Sequence, residues 1–194
     1  MCPKSYNKLY NILMKILGID PGLGRCGFGL IETTSRAGAR ALDFGVVTTT
    51  VDAPLPSRLK ELYDSLNEVF EETQPEVVAV EKLFFAKNIT TGIAVAEARG
   101  VVLLVAEQKG AEVYEYTPNE IKKSLTGYGA ATKTQIEEMV RIHLGLEKKP
   151  KPDDAADALA VAITCGFLYK TSSEEKYKFS NSRGRRKKVM PIDK

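Results

Sequence analysis

The sequence predicts an α/β domain built on a mixed five-stranded sheet, three antiparallel strands followed by two parallel ones, flanked by helices. Three observations lead there. Three β-branched, strand-like stretches follow one another closely near the start, Lys15–Asp20, Arg25–Thr34 and Ala41–Thr50, which suits an antiparallel meander. Two later short apolar runs, each ending a stretch of helical spacing, suit parallel strands reached by crossover helices. Finally, 194 residues with 43% apolar and 27% charged content suit one soluble domain with a real core.

The elements are justified in turn. Lys15-Ile-Leu-Gly-Ile-Asp20 is an apolar run closed by a carboxylate. The second and third stretches are separated by the turn-prone Ser35–Gly38. After Pro54 the spacing becomes helical, with Ser57 as the expected N-cap and Leu59, Leu62, Leu66, Val69 and Phe70 on one stripe that Pro75 stops. Val77-Val-Ala-Val80 is continuously apolar, as strands buried on both faces are, and ends in Glu81. A helix from about Thr91 to Gln108 is apolar nearly all round, so it needs a covering element or a second subunit. Val113–Tyr116 makes the fifth strand. Helices Pro118–Leu125 and Thr132–Leu144 follow, and a last helix from Asp153 to about Tyr169 opens on acidic residues that complement its dipole.

Residues 1–14 read as an N-terminal extension, 15–170 as the domain, and 171–194 as a basic, flexible tail. From Thr171 onward there are eight basic and three acidic residues, so the tail is a +5 arm suited to a polyanion while the body is slightly acidic. A purely solubilising terminus is the alternative reading. The first eleven residues are polar and lack a signal-peptide core, and no apolar run approaches bilayer-spanning length, so a cytoplasmic location is expected. Cys2, Cys26 and Cys165 are scattered and odd in number, which fits a reducing compartment and neither a disulfide framework nor a zinc site.

The chemistry lies in the carboxylates. Asp20 and Glu81 each close an apolar strand, and in open α/β sheets sites form beyond the carboxyl ends of strands. Asp154 and Asp157 are spaced i, i+3 and share one helical face, where like charges need a cation or a proton between them. Asp153 is a competing partner for Asp157, and dipole complementation alone accounts for Asp153 or Asp154. With His143 as the single histidine, a metal site here uses oxygen ligands, which suits Mg²⁺ or Mn²⁺. Two such ions can activate a water and stabilise a leaving oxygen in phosphoryl transfer, and their charge lets an acidic site accept a phosphodiester.

A rival reading starts from Gly22-Leu-Gly24-Arg-Cys-Gly27, which matches a dinucleotide fingerprint literally. The context fails, because a strand rather than a helix follows. A sugar-kinase or actin-like ATPase also opens strand–Asp–Gly–strand, but this chain has no room for the second lobe.

Several segments in order resemble the RuvC family of Holliday-junction resolvases: Ile16-Leu-Gly-Ile-Asp20-Pro-Gly22, Gly27-Phe-Gly29, Leu55-Pro-Ser-Arg-Leu59, Val80-Glu81-Lys-Leu-Phe84-Phe-Ala-Lys-Asn88, Ala98-Arg-Gly100, and Asp154-Ala-Ala-Asp157-Ala-Leu-Ala-Val-Ala-Ile-Thr164. The resemblance implies an RNase-H-like fold. It also implies a Mg²⁺-dependent homodimer that cuts four-way junction DNA symmetrically in recombination and repair, served by a branch-migration helicase complex of the RuvA and RuvB type. It places the catalytic and metal-binding quartet on Asp20, Glu81, Asp154 and Asp157. Phe84 falls on the family's base-stacking aromatic, Lys122 and Lys133 on its two functional lysines, and the helix from Thr91 on its dimer helix. His143 matches no catalytic position. A related nuclease for other branched or RNA-containing substrates, and a junction-binding module without catalysis, are the alternatives.

Overall fold

The centre of the sheet is a parallel pair that the apolar runs dictate. A computed structural model describes residues 13–34, 38–82 and 89–169, with side chains in the last stretch described from residue 92. Strand β1 (Lys15–Asp20) lies parallel to β4 (Val77–Glu81), pairing Ile16 with Val77 through to Ile19 with Val80. All four residues Val77 to Val80 are buried, as a strand covered on both faces requires. On one side β2 (Arg25–Thr33) and then β3 (Ala39–Thr48) add antiparallel. On the other, β5 (Glu112–Tyr116) adds parallel to β4. The order β3-β2-β1-β4-β5 is the mixed sheet expected from the sequence.

Helices cover both faces. Helices α1 (Leu55–Thr73) and α2 (Ile89–Lys109) pack on the face presenting Leu17, Ile19, Val78 and Val80. Helices α3 (Pro118–Thr126), α4 (Lys133–His143) and α5 (Asp153–Leu168) build the second core with Ile16, Ile31, Val77 and Ala79. The alternation of these two sets along β1 and β4 is the period of two of a strand. In α1, Leu62, Leu66 and Phe70 recur every fourth residue and are fully buried, worth about 1.5–3 kcal/mol each. Helix α2 buries Ala98, Val102, Val105 and Ala106 while Ile93 and Leu104 stay about half exposed.

Two local expectations need correction. Ser57 is not the N-cap of α1. The helix begins at Leu55 with Pro54 as its cap and Pro56 in the first turn, where a missing N–H costs nothing because no intrahelical acceptor awaits it. The third strand is Ala39–Thr48 rather than Ala41–Thr50: past the last pair, Thr48 with Arg25, the Thr49 N–H still reaches the Gly24 carbonyl at 3.3 Å, but Thr50 already opens a turn, its carbonyl accepting from the Ala53 N–H at 3.2 Å. The Thr49 hydroxyl donates to the Leu23 carbonyl at 2.6 Å, and the Thr50 N–H donates to Glu61 on α1 at 2.7 Å. Pro75 follows the end of α1 as expected, after Gln74 closes it in a left-handed conformation with φ 48°.

Helices α3 and α4 both start on capping boxes, Thr117 with Glu120 and Thr132 with Gln135. The second fixes Lys133 as the first residue of α4. The extension before Leu13, the tail from residue 170 and Phe84 lie outside the described residues. No helix among the described residues is long and apolar enough to cross a membrane.

Candidate active site

Asp20 and Glu81 sit one residue past the last β1–β4 pair, Ile19 with Val80. Counting by twos from Ile16 and Val77 puts both on the face covered by α3, α4 and α5. The two strand ends therefore offer two carboxylates to one crevice.

Helix α5 reaches that crevice through a groove of missing side chains. Gly18, Gly27 and Gly29 occupy the same face of β1 and β2, with Gly18 opposite Gly29 and Asp20 opposite Gly27. A Cβ on Gly18 would meet the Ala158 carbonyl oxygen at 2.0 Å, and one on Gly27 would meet the Asp154 carbonyl oxygen at 2.1 Å. The helix answers with small residues, Ala155, Ala156, Ala158, Ala160 and Ala162, all buried. Close approach is possible only because both surfaces are nearly bare, and it seats the first turn of α5, with Asp154 and Asp157, beside Asp20.

The electrostatics record this crowding. Burial pushes the Asp20 carboxyl up to about 7, with the negative charges of Glu81, Asp157 and Asp154 adding to it in that order and Lys133 opposing. Glu81 is also raised, by burial first and then by Asp157, with Lys122 opposing. Asp157 is raised by burial and held back by the hydrogen bond it accepts from Lys133. Asp153 behaves differently. It accepts a hydrogen bond from Lys151 at 2.9 Å, which lowers its pKa, and it is half exposed. Asp154 pairs with Arg25 and adds to the raised pKa of Asp20, whereas Asp153 pairs with Lys151 and lies 3.7 Å from Lys133; both aspartates add to the raised pKa of Asp157.

Cations engage the two helix carboxylates. Arg25 donates to Asp154 Oδ2 from Nε at 2.8 Å, and its Nη2 lies 2.6 Å from the same oxygen. Lys133 Nζ lies 3.0 Å from Asp157 Oδ2 and 3.7 Å from Asp153 Oδ2. In this arrangement no three acidic, histidine or cysteine side chains among the described residues close into a metal cage. The donor set nonetheless fits a hard divalent cation. It is all carboxylate, and Asp20 and Glu81 are pushed toward protonation by burial and by one another's neighbours, which a bound cation would reverse.

Arg25 is a site residue that sequence reasoning missed. Only the strand pairing reveals it: with Gly27 opposite Asp20, the residue two before Gly27 shares its face. His143 is elsewhere, packed edge-on to Phe167 with centroids 5.1 Å apart. Cys26 and Cys165 are buried free thiols.

The model of the crossover junction endodeoxyribonuclease RuvC family matches residues 16–165. That span takes in all four carboxylates and all but the outer ends of β1 and α5 among the elements that build the crevice. This chain belongs to the RuvC family. The crossover junction endodeoxyribonuclease RuvC of Thermomicrobium roseum is 48% identical over 161 residues, covering 83% of this chain and 97% of that protein. The RuvC of Desulfitobacterium hafniense is 53% identical over 152 residues, 77% of this chain and 90% of that one. The structure of Thermus thermophilus RuvC in complex with a Holliday junction substrate superposes with a TM-score of 0.77 at 38% identity, covering 81% of this chain and 95% of that chain. RuvC proteins thus share this sheet and its helices, and the RNase-H-like architecture expected from the sequence is the one found.

Proposed function

We propose that this RuvC chain is a Mg²⁺-dependent, structure-selective endodeoxyribonuclease that resolves four-way junctions by paired symmetric nicks in recombination and repair. The observation that carries the reading is the shared crevice, in which Asp20 and Glu81 end adjacent parallel strands beside Asp154 and Asp157. Membership of an endonuclease family and likeness to a RuvC bound to a Holliday junction support the substrate.

Asp20, Glu81, Asp154 and Asp157 are the residues that would hold Mg²⁺, two ions per subunit, with Mn²⁺ able to substitute. When bound, the ions neutralise phosphate charge and make a water nucleophilic at neutral pH. The chain's own contribution is placement. Asp20 and Glu81 are carried by the central strands and the two aspartates of α5 by the helix seated in the glycine groove, so the backbone is preset, while the side chains of Asp154 and Asp157 would have to leave Arg25 and Lys133 to close on an ion. Hydrolysis adds water across the phosphodiester and leaves a 5′-phosphate and a 3′-hydroxyl.

Lys122 and Lys133 are the DNA-side cations, each stationed toward one carboxylate, Glu81 and Asp157 respectively. Either can exchange that contact for a backbone phosphate. Phe84, three residues beyond Glu81, stacks on a base at the junction centre. The homodimer forms along α2, where Ile93 and Leu104, eleven residues apart, share one exposed strip. Two sites related by that dimer give the symmetry of the nicks. A RuvA- and RuvB-type helicase complex supplies the junction, the basic tail from Thr171 steers the arms, and the enzyme works in the cytoplasm.

A substrate panel tests the reading. Four-way junction, replication fork and RNA–DNA hybrid are offered side by side in Mg²⁺. The junction is expected to be cut fastest, and preference for the hybrid would replace this substrate with another.

A further inference from the structure

Arg25 stands where a cation and a phosphate would both be felt. It projects from the start of β2 with its side chain about half exposed; its Nε donates to Asp154 Oδ2 and its Nη2 lies against the same oxygen. With Lys133, Lys151, Asp153 and Asp154 it lines an open cleft beside the carboxylate crevice. The two lysines there are held differently: Lys151 pairs with Asp153, and Lys133 with Asp157 and Asp153.

We infer that Arg25 is a switching residue, counter-ion to Asp154 until a divalent cation claims that carboxylate and thereafter a contact for a DNA backbone phosphate in the cleft. The inference rests on the metal-dependent nuclease reading above and adds a residue and a sequence of contacts to it. The physical argument is competition. An anionic oxygen that accepts a guanidinium N–H bond and carries a second guanidinium nitrogen at ion-pair distance cannot also ligate a cation at full strength, because both draw on the same lone pairs and negative charge. An exposed pair of this kind is weak enough for a divalent ion to displace. Once displaced, a guanidinium in a cleft with two lysines has a phosphate as its natural acceptor, since its planar fork matches the phosphate oxygens.

Two measurements on the full chain test this. Mn²⁺ binding without DNA, followed by the loss of free-ion paramagnetic resonance, compares wild type with Arg25→Gln and Lys151→Gln. Both substitutions remove one positive charge from the cleft, but only the first removes a competitor for Asp154. Arg25→Gln is expected to bind Mn²⁺ about two- to five-fold more tightly than Lys151→Gln does. Junction affinity is then measured against salt in EDTA and in Ca²⁺, chosen because its looser coordination favours binding over cutting. In Ca²⁺ the salt slope of Arg25→Gln should fall by about one relative to wild type, with Arg25→Lys restoring it, and in EDTA the two slopes should match. Equal Mn²⁺ affinity in the two variants, or a slope difference that is absent in Ca²⁺ or also present in EDTA, overturns the switch. Failure of wild type to bind Mn²⁺ at all strikes instead at the metal-site reading on which the inference rests.

Discussion

Gly27 lies so close to Asp154 that a β-carbon on the glycine would fall 2.1 Å from the aspartate's carbonyl oxygen. The catalytic reading of the crevice depends on this contact, because Asp154 and Asp157 reach Asp20 only while α5 lies in the glycine groove. Gly27→Ala is therefore expected to push the helix outward. Its overpacking cost is about 1–3 kcal/mol, read as a lower midpoint in thermal unfolding. Cleavage should fall further than that stability loss accounts for, even at temperatures where the variant is fully folded. A variant that folds normally and cuts at wild-type rate would show that the close approach is dispensable.

The raised pKa of Asp20 makes a signed prediction about stability. An unfolded aspartate titrates near 3.8, whereas Asp20 in the fold holds its proton to about 7. The native state thus binds more protons across that window, and stability in EDTA declines as pH rises through it. Below about pH 4 the penalty is absent, and above about pH 7 it is complete. Asp20→Asn removes it, so in EDTA the variant should exceed wild type by on the order of 4 kcal/mol at pH 7.5 and match it near pH 4. Added Mg²⁺ should stabilise wild type more than the variant. Denaturant melts at the two pH values, with and without Mg²⁺, supply the comparison.

Asp153 and Asp154 are neighbours with opposite expected roles. Asp154→Asn should bind a four-way junction normally while losing cleavage by about 100-fold or more. Asp153→Asn, which releases the exposed pair with Lys151 and the longer one with Lys133, should cut within a few-fold of wild type. Single-turnover cleavage of the two variants under identical Mg²⁺ decides the assignment.

Lys133 joins two aspartates across exposed ground. Pairs of that kind contribute about 0–1 kcal/mol to stability. Lys133→Ala should therefore melt close to wild type and show its loss in the cleavage rate. A large drop in melting temperature with little change in rate would make the lysine structural.

Much of the fold was legible because its signals are local. The strand runs of β1 and β4 are apolar on both faces, and Leu62, Leu66 and Phe70 recur at helical spacing. The mixed sheet follows from their order. The four carboxylates could be named because each closes an apolar strand or opens an apolar helix. What escaped was non-local. Gly18, Gly27 and Gly29 form a groove only once β1 and β2 are paired, and in sequence Gly27 instead joins Gly22 and Gly24 in mimicking a nucleotide-binding loop. Arg25 belongs to the crevice through a helix 129 residues away, which no window around it reveals. The end of β3 was misplaced because Thr50, a good strand residue by propensity, gives its N–H to the Glu61 side chain instead of a neighbouring strand.

The central claim is that one carboxylate crevice per subunit cuts junction DNA with the help of a divalent metal. The most direct measurement is cleavage of a synthetic four-way junction by the full chain, with Mg²⁺ titrated from zero and both nick positions mapped at nucleotide resolution. The account predicts no cutting in EDTA, and in Mg²⁺ paired nicks at symmetry-related positions on opposed strands, sealable by ligase. Cutting that persists in EDTA, or Mg²⁺-dependent nicks scattered without symmetry, would contradict it.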